Sequence, residues 1–149
     1  MNVALSYSVE PSDLFTIPLL SRQITSNDMT VVSEDALSVQ SRRPSLFIGV
    51  LGARGPRQNA VIAAYQQAHR LRIPALLMIE QNIRVPESWH RASNIVFFDR
   101  RRPDKAIEEI WARQARANKE GDKSLNGWAI VLGAFAIIGL IELLSDNKK

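Results

Sequence analysis

The 149-residue sequence has no cysteine, only two histidines, and seven each of glycine and proline. Without cysteine there is no disulfide framework, no thiolate nucleophile and no cysteine-based zinc site. The scarcity of glycine and proline excludes collagen-like and mucin-like chains. His69 stands late in a helical pattern and reads as a surface or capping residue, and His90 in ESWHRAS follows Trp89, which reads as a packing residue. No spacing of His, Asp and Glu suggests a metal site, and no serine is placed as a nucleophile elbow. Internal repeats and low-complexity tracts are absent. So are the phosphate-binding GxxxxGK[ST] and the dinucleotide-binding GxGxxG.

What is present is unevenly distributed. Apolar residues make up 46% of the chain, and a charge-free run, WAIVLGAFAIIGLI, occupies residues 128–141. Leu143 and Leu144 extend it past Glu142. The run is apolar all round, opens on an interfacial Trp128 and is followed by Lys148 and Lys149, as in a short membrane span. A transmembrane helix is therefore expected over 128–145, with a juxtamembrane linker at 118–127 and a polar tail at 146–149. A buried helix of a soluble domain is the alternative. The approach carries Arg100, Arg101, Arg102, Lys105, Arg113, Arg116, Lys119 and Lys123, which the positive-inside tendency keeps in the cytoplasm. The opening MNVALSYSVEPSD lacks a basic region and an adequate apolar run, so no secretory leader is expected. The expectation is a single-pass inner-membrane protein with a cytoplasmic domain. The net charge of +4 then reads mainly as a topology signal, and no nucleic-acid partner is expected.

Residues 1–117 alternate strand and helix. Apolar runs at 3–9, 29–34, 45–52, 73–80 and 93–99 predict five strands, and helices are predicted over 13–24, 59–71 and 103–117. Ser12 and Asp13 are candidate caps of the first helix, and Pro18 predicts that it is kinked or begins late. Residues 35–44 read as a polar loop. Continuous apolar strands separated by helices indicate an α/β domain: a flavodoxin-like, mostly parallel five-stranded sheet with helices on both faces. Ligands of such sheets bind beyond the carboxyl ends of the strands. There the loop GARGPRQN (52–59) offers Gly52, Arg54, Arg57 and Asn59 at a helix N-terminus, a setting suited to a nucleotide phosphate. It also fits a plain strand-to-helix turn with solvated arginines.

The opening VALSYSVEPSD resembles the first motif of TIR (Toll/interleukin-1 receptor) domains, and SLFIGVLG, AVIAAYQQAHRLRIP and ALLMIE resemble the central block that TIR domains share with nucleoside deoxyribosyltransferase-like relatives. The resemblance covers residues 2–112, with a stretch between the second and third strands too short for the helix a TIR domain usually has there. It implies cleavage of a nucleotide's N-glycosidic bond, with NAD as substrate rather than cofactor. It also implies assembly into homo-oligomers and, in bacteria, a role as an effector of antiphage immunity. Ser6, Tyr7, Ser8 and Asp13 match the first motif and would line the nucleotide pocket, with Tyr65 added from the helix motif. The family places a glutamate on that helix, next to the ribose, where a carboxylate stabilises the developing cation. Here the motif reads Ala64-Tyr65-Gln66-Gln67-Ala68, and Ala64 occupies the glutamate position. An alanine methyl cannot do that chemistry, so the chain is expected to be inactive, either as a natural pseudoenzyme or as a form in which a glutamate was replaced. Glu34 and Glu80, at strand ends, are the carboxylates that could substitute. A non-enzymatic signalling scaffold and a hydrolase of nucleoside monophosphates are the alternatives.

Overall fold

A computed structural model describes residues 2–92 and 94–119. Five strands, β1 (Asn2–Ser8), β2 (Thr30–Ser33), β3 (Leu46–Leu51), β4 (Ala75–Glu80) and β5 (Ile95–Phe98), form one sheet in the order β2-β1-β3-β4-β5. Every pairing is parallel. This is one of the two common orders of doubly wound sheets. The α/β expectation holds, and the sheet is parallel throughout rather than mostly so.

Helices α1 (Thr16–Ser26), α2 (Gln58–Arg70), α3 (Glu87–His90) and α4 (Pro103–Lys119) cover the two faces. The period of two along a strand sorts its side chains. Val3, Leu5, Ile48, Val50 and Met78 meet Leu20 and Ile24 of α1 and Ile107 and Ile110 of α4 in one core cluster. Ala4, Phe47, Leu77 and Ile79 meet Val61, Ala64, Tyr65 and Ala68 of α2, with Trp89, in the other. β3 and β4 are buried along their whole length, which is why they read as unbroken apolar runs.

Boundaries differ from expectation where local chemistry intervenes. Residues Pro11–Asp13 form a 3-10 turn, and α1 begins only at Thr16 with Phe15 as N-cap, so neither Ser12 nor Asp13 caps it. Pro18 then falls in the first turn, where a missing N–H leaves no helical bond unmade. The stretch read as a loop winds into two 3-10 turns, Glu34–Ser38 and Gln40–Arg42, and buries Leu37. Both α1 and α2 end in paired closing bonds. Asp28 N donates to Thr25 O and Met29 N to Ile24 O, while Arg72 N donates to His69 O and Ile73 N to Ala68 O. Asp28 (φ 58°) and Arg72 (φ 57°) hold the left-handed position usually given to glycine.

Helix α4 runs to Lys119, into the region expected as linker. Among the described residues no helix is long and apolar enough to cross a membrane. The expected span at 128–145 and the tail at 146–149 lie outside the described residues.

Candidate functional site

The carboxyl ends of the strands carry three loops that meet around the end of β1. Ser8 is the centre of that meeting. Its carbonyl accepts Gly52 N at 2.7 Å, and its Oγ accepts Arg57 N at 2.7 Å. On the other side of the same loop, Glu80 Oε2 accepts Ala53 N at 2.6 Å. Gln58 Nε2 reaches back to the carbonyls of Gly52 (2.8 Å) and Ala53 (3.2 Å), and Gly55 N donates to Gly52 O at 3.1 Å. The loop is thus tied to β1 and β4, and its N–H groups at 52, 53, 55 and 57 are spent on protein acceptors. An anion here meets arginine side chains and the first turn of α2 rather than a glycine-rich backbone cradle.

Three of the predicted residues, Ser6, Tyr7 and Arg57, come together at one corner. Ser6 Oγ donates to Glu34 Oε2, and Arg57 Nη2 donates to Glu34 Oε1 at 2.5 Å. These groups, with Tyr7, Ile17 and Ser21, line a cleft of about 390 Å³. A hydroxyl from β1, a carboxylate following β2 and a guanidinium at the head of α2 therefore form one array, 23–28 residues apart in sequence. Glu34 is the member that joins the other two.

Asp13 lies elsewhere. It is bridged to Arg100 at 3.4 Å and lines a second cleft of about 680 Å³, together with Phe15, Glu80, Gln81, Asn82, Phe98, Asp99 and Arg101. Arg54 is largely exposed and stands 4.0 Å from Glu10, and Asn59 is exposed on α2. Tyr65 is fully buried in the core under α2. Asn94 Nδ2 donates to its hydroxyl and to Ala75 O (3.3 Å), and burial pushes the phenol pKa up. Ala64 is 9% exposed and packs in the same apolar cluster as Leu37, Phe47 and Val61. Positions 57, 61, 64 and 68 follow one helical face, so Ala64 lies two turns below Arg57 on the side toward the sheet.

Each histidine sets its ring against an aromatic side chain, His69 half-buried and His90 exposed. His69 sets its ring edge-on to Tyr65 (4.7 Å between centroids), and burial lowers its pKa. His90 stacks on Phe97 at 4.5 Å, and Trp89 is buried. Among the described residues no group of His, Asp and Glu could hold a metal ion. Several arginines of the expected membrane approach are paired within the domain: Arg100 with Asp13, Arg102 with Asp104 (3.0 Å) and Arg113 with Glu109. Sequence reasoning had no sign of the cleft formed by Phe15, Asn82 and Arg100, because its walls come from loops far apart in the chain. No family model matches the sequence, and no curated protein matches it.

Proposed function

We propose that this chain is a TIR-like domain that binds a nucleotide of the NAD class where β1, β2 and α2 meet, and that residues 128–145 hold it at the inner membrane as an antiphage effector. The observation that carries the reading is the array of Ser6, Glu34 and Arg57 at the carboxyl edge of the sheet. Arg57, half-exposed at the head of α2, has further guanidinium N–H groups for a phosphate beyond the one it gives Glu34, and Ser6 Oγ and Glu34 offer acceptor lone pairs for ribose hydroxyls. In the reaction this reading implies, nicotinamide leaves with the glycosidic electron pair, water adds to C1′ and a proton passes to solvent. A carboxylate beside the sugar lowers the barrier by stabilising its developing positive charge. Position 64 provides none, because Ala64 presents a methyl group within an apolar cluster.

The experiment is nicotinamide release from NAD by the full chain in detergent micelles, beside its Ala64→Glu variant. The chain as it stands is expected to bind NAD and to release little nicotinamide, and activity in the glutamate variant alone would support the enzyme reading. Equal silence from both, with NAD binding absent, would reject the nucleotide reading. The second reading is a non-enzymatic scaffold, favoured by Leu14, Phe15 and Leu19, which expose 40–45% of their surface at and before the start of α1. It predicts self-association that is indifferent to NAD. Nucleoside monophosphates in the same assay test the deoxyribosyltransferase-like alternative.

A further inference from the structure

The two ends of the sheet carry charge differently. At the carboxyl ends Arg57 pairs with Glu34, Arg54 with Glu10 and Arg100 with Asp13. At the amino ends, the segments that lead into β2–β5 (26–29, 39–45, 70–74 and 91–94) hold five arginines and a single carboxylate, Asp28. Arg91 is paired with Glu87 at 3.3 Å. Arg42, Arg43, Arg70 and Arg72 are exposed, and none of the four forms an ion pair among the described residues. The sheet brings these four together. Arg42 and Arg43 stand just before β3 and Arg70 and Arg72 just before β4, neighbouring strands about 4.8 Å apart. The two approaches are bonded to each other where Phe47 N donates to Pro74 O. Arg72 is kept at a left-handed backbone position where glycine would cost less. Val39, 43% exposed, opens the turn that carries Arg42.

Helix α4 leads to the same end of the domain. It starts beyond the carboxyl end of β5 and packs back across the sheet through Ala106, Ile107 and Ile110, in the cluster that holds Val3 and Leu46 from the starts of β1 and β3. Residues 120–127 then separate Lys119 from the apolar run at 128–141, a reach of about 30 Å at full stretch. We infer that the arginine face at the amino ends of β3 and β4 docks on an anionic lipid bilayer, the one that residues 128–145 enter. The inference rests on the membrane part of the reading above and is independent of its nucleotide part. The charges are complementary, because arginines held within about 10 Å of a phosphate headgroup surface are drawn to it. Guanidinium groups take phosphate oxygens in forked pairs, and Val39 offers an apolar side chain to the layer beneath. A nucleic acid would also meet these arginines, but the exposed tyrosine and phenylalanine among the described residues, Tyr7 and Phe15, lie at the opposite end of the sheet. The face thus gives bases no such ring to stack on, and it lies on the side of the anchor.

The test reconstitutes the full chain into vesicles of phosphatidylcholine, alone or mixed with phosphatidylglycerol. With no native cysteine, a single fluorophore can be placed at Ser26→Cys on the amino side or at Ala60→Cys on the carboxyl side, both exposed. Energy transfer to an acceptor lipid reads how near each lies to the bilayer. Transfer from residue 26 is expected to rise at least twofold when the anionic lipid is present, and transfer from residue 60 to rise less. High salt is expected to remove the rise. The joint variant Arg42→Gln, Arg43→Gln, Arg70→Gln, Arg72→Gln is expected to lose it, and lysine at the same four positions to keep it. Arg84→Gln with Arg101→Gln, exposed and outside the face, is also expected to keep it. No rise in the parent, or a rise that persists in the fourfold glutamine variant, overturns the inference. If that variant fails to fold, Arg42→Gln with Arg43→Gln, on a surface turn, must lose at least half of the rise. Extraction of the parent by alkaline carbonate would mean that the span itself has failed. Chain added from solution must then bind the mixed vesicles and not the neutral ones, through the same arginines, or the inference falls as well. An RNA oligomer that binds the parent and not the glutamine variant, with no rise on anionic vesicles, assigns the face to nucleic acid and overturns the inference.

Discussion

Gly55 lies against Ser8 with no room for a side chain: a Cβ on residue 55 would overlap both the carbonyl oxygen and the hydroxyl of Ser8. That hydroxyl also accepts Arg57 N, so the approach of residue 55 and the start of α2 depend on the same atom. Gly55→Ala is expected to push the loop off β1 and to cost about 1–3 kcal/mol, as overpacking does. Urea unfolding measures it, and an unchanged midpoint would mean that the loop moves aside freely.

Arg72 closes α2 in a left-handed conformation that costs a side-chain-bearing residue energy. Arg72→Gly relieves that cost and returns part of it as chain entropy, for a net gain of about 0.5–1 kcal/mol. The gain appears as a higher unfolding midpoint with the slope unchanged. A lower midpoint would show that the arginine side chain contributes more than its backbone costs.

Tyr65 has its phenol buried and its pKa raised by that burial. An unfolded tyrosine ionises near pH ~10, so the folded state holds its proton where the unfolded state has lost it. The stability Tyr65 contributes is thus complete below that pH and declines as pH rises through and beyond it. In Tyr7→Phe, which leaves Tyr65 as the sole phenol, absorbance at alkaline pH is expected to report ionisation only well above the ordinary value. A titration at the ordinary value would contradict the burial.

His69 shifts the other way. Its imidazole is partly desolvated and its Nε2 has no hydrogen-bond partner, so the neutral form is favoured and the pKa falls. Above the ordinary value of ~6.5 the folded protein loses nothing by this, whereas below it the unfolded chain takes up a proton that the folded one resists. Stability is therefore expected to fall between neutral pH and about pH 5, and His69→Phe is expected to show a smaller fall over the same interval. The difference between the two unfolding midpoints isolates this group from the carboxylates.

The sheet was legible because a doubly covered parallel strand must be apolar at successive positions, as LFIGVL and ALLMIE are. The helix ends were less so. Both C-termini use an ordinary residue, Asp28 or Arg72, where glycine would have marked the stop, and the start of α1 is set by a 3-10 turn that precedes it. Tyr65, added to the pocket residues from its helix motif, lies buried under α2 with its hydroxyl held by Asn94 at a distance of 29 residues in sequence, a partnership that no local pattern announces. At the site, Ser6 and Arg57 could be named from their loops, but their union through Glu34 depends on how the 3-10 turn at Glu34–Ser38 folds back. Arg100 shows the same limit from the other side. Its place in a basic run suggested a membrane approach, while its partner, Asp13, lies near the opposite end of the chain.

The order of the strands also governs how the chain can be made. β1 is synthesised first, yet it sits between β2 and β3 and lacks its full pair of neighbours until both have followed it. All four pairings are parallel, so none can close as a hairpin, and each must wait for the crossover between its strands. Folding is therefore paced by contacts between distant segments, the slow class of topology. A nascent chain stalled before residue 46 exposes Val3, Ala4 and Leu5 with one of β1's two edges unpaired, which is the arrangement that a chaperone or another unfinished strand would cover.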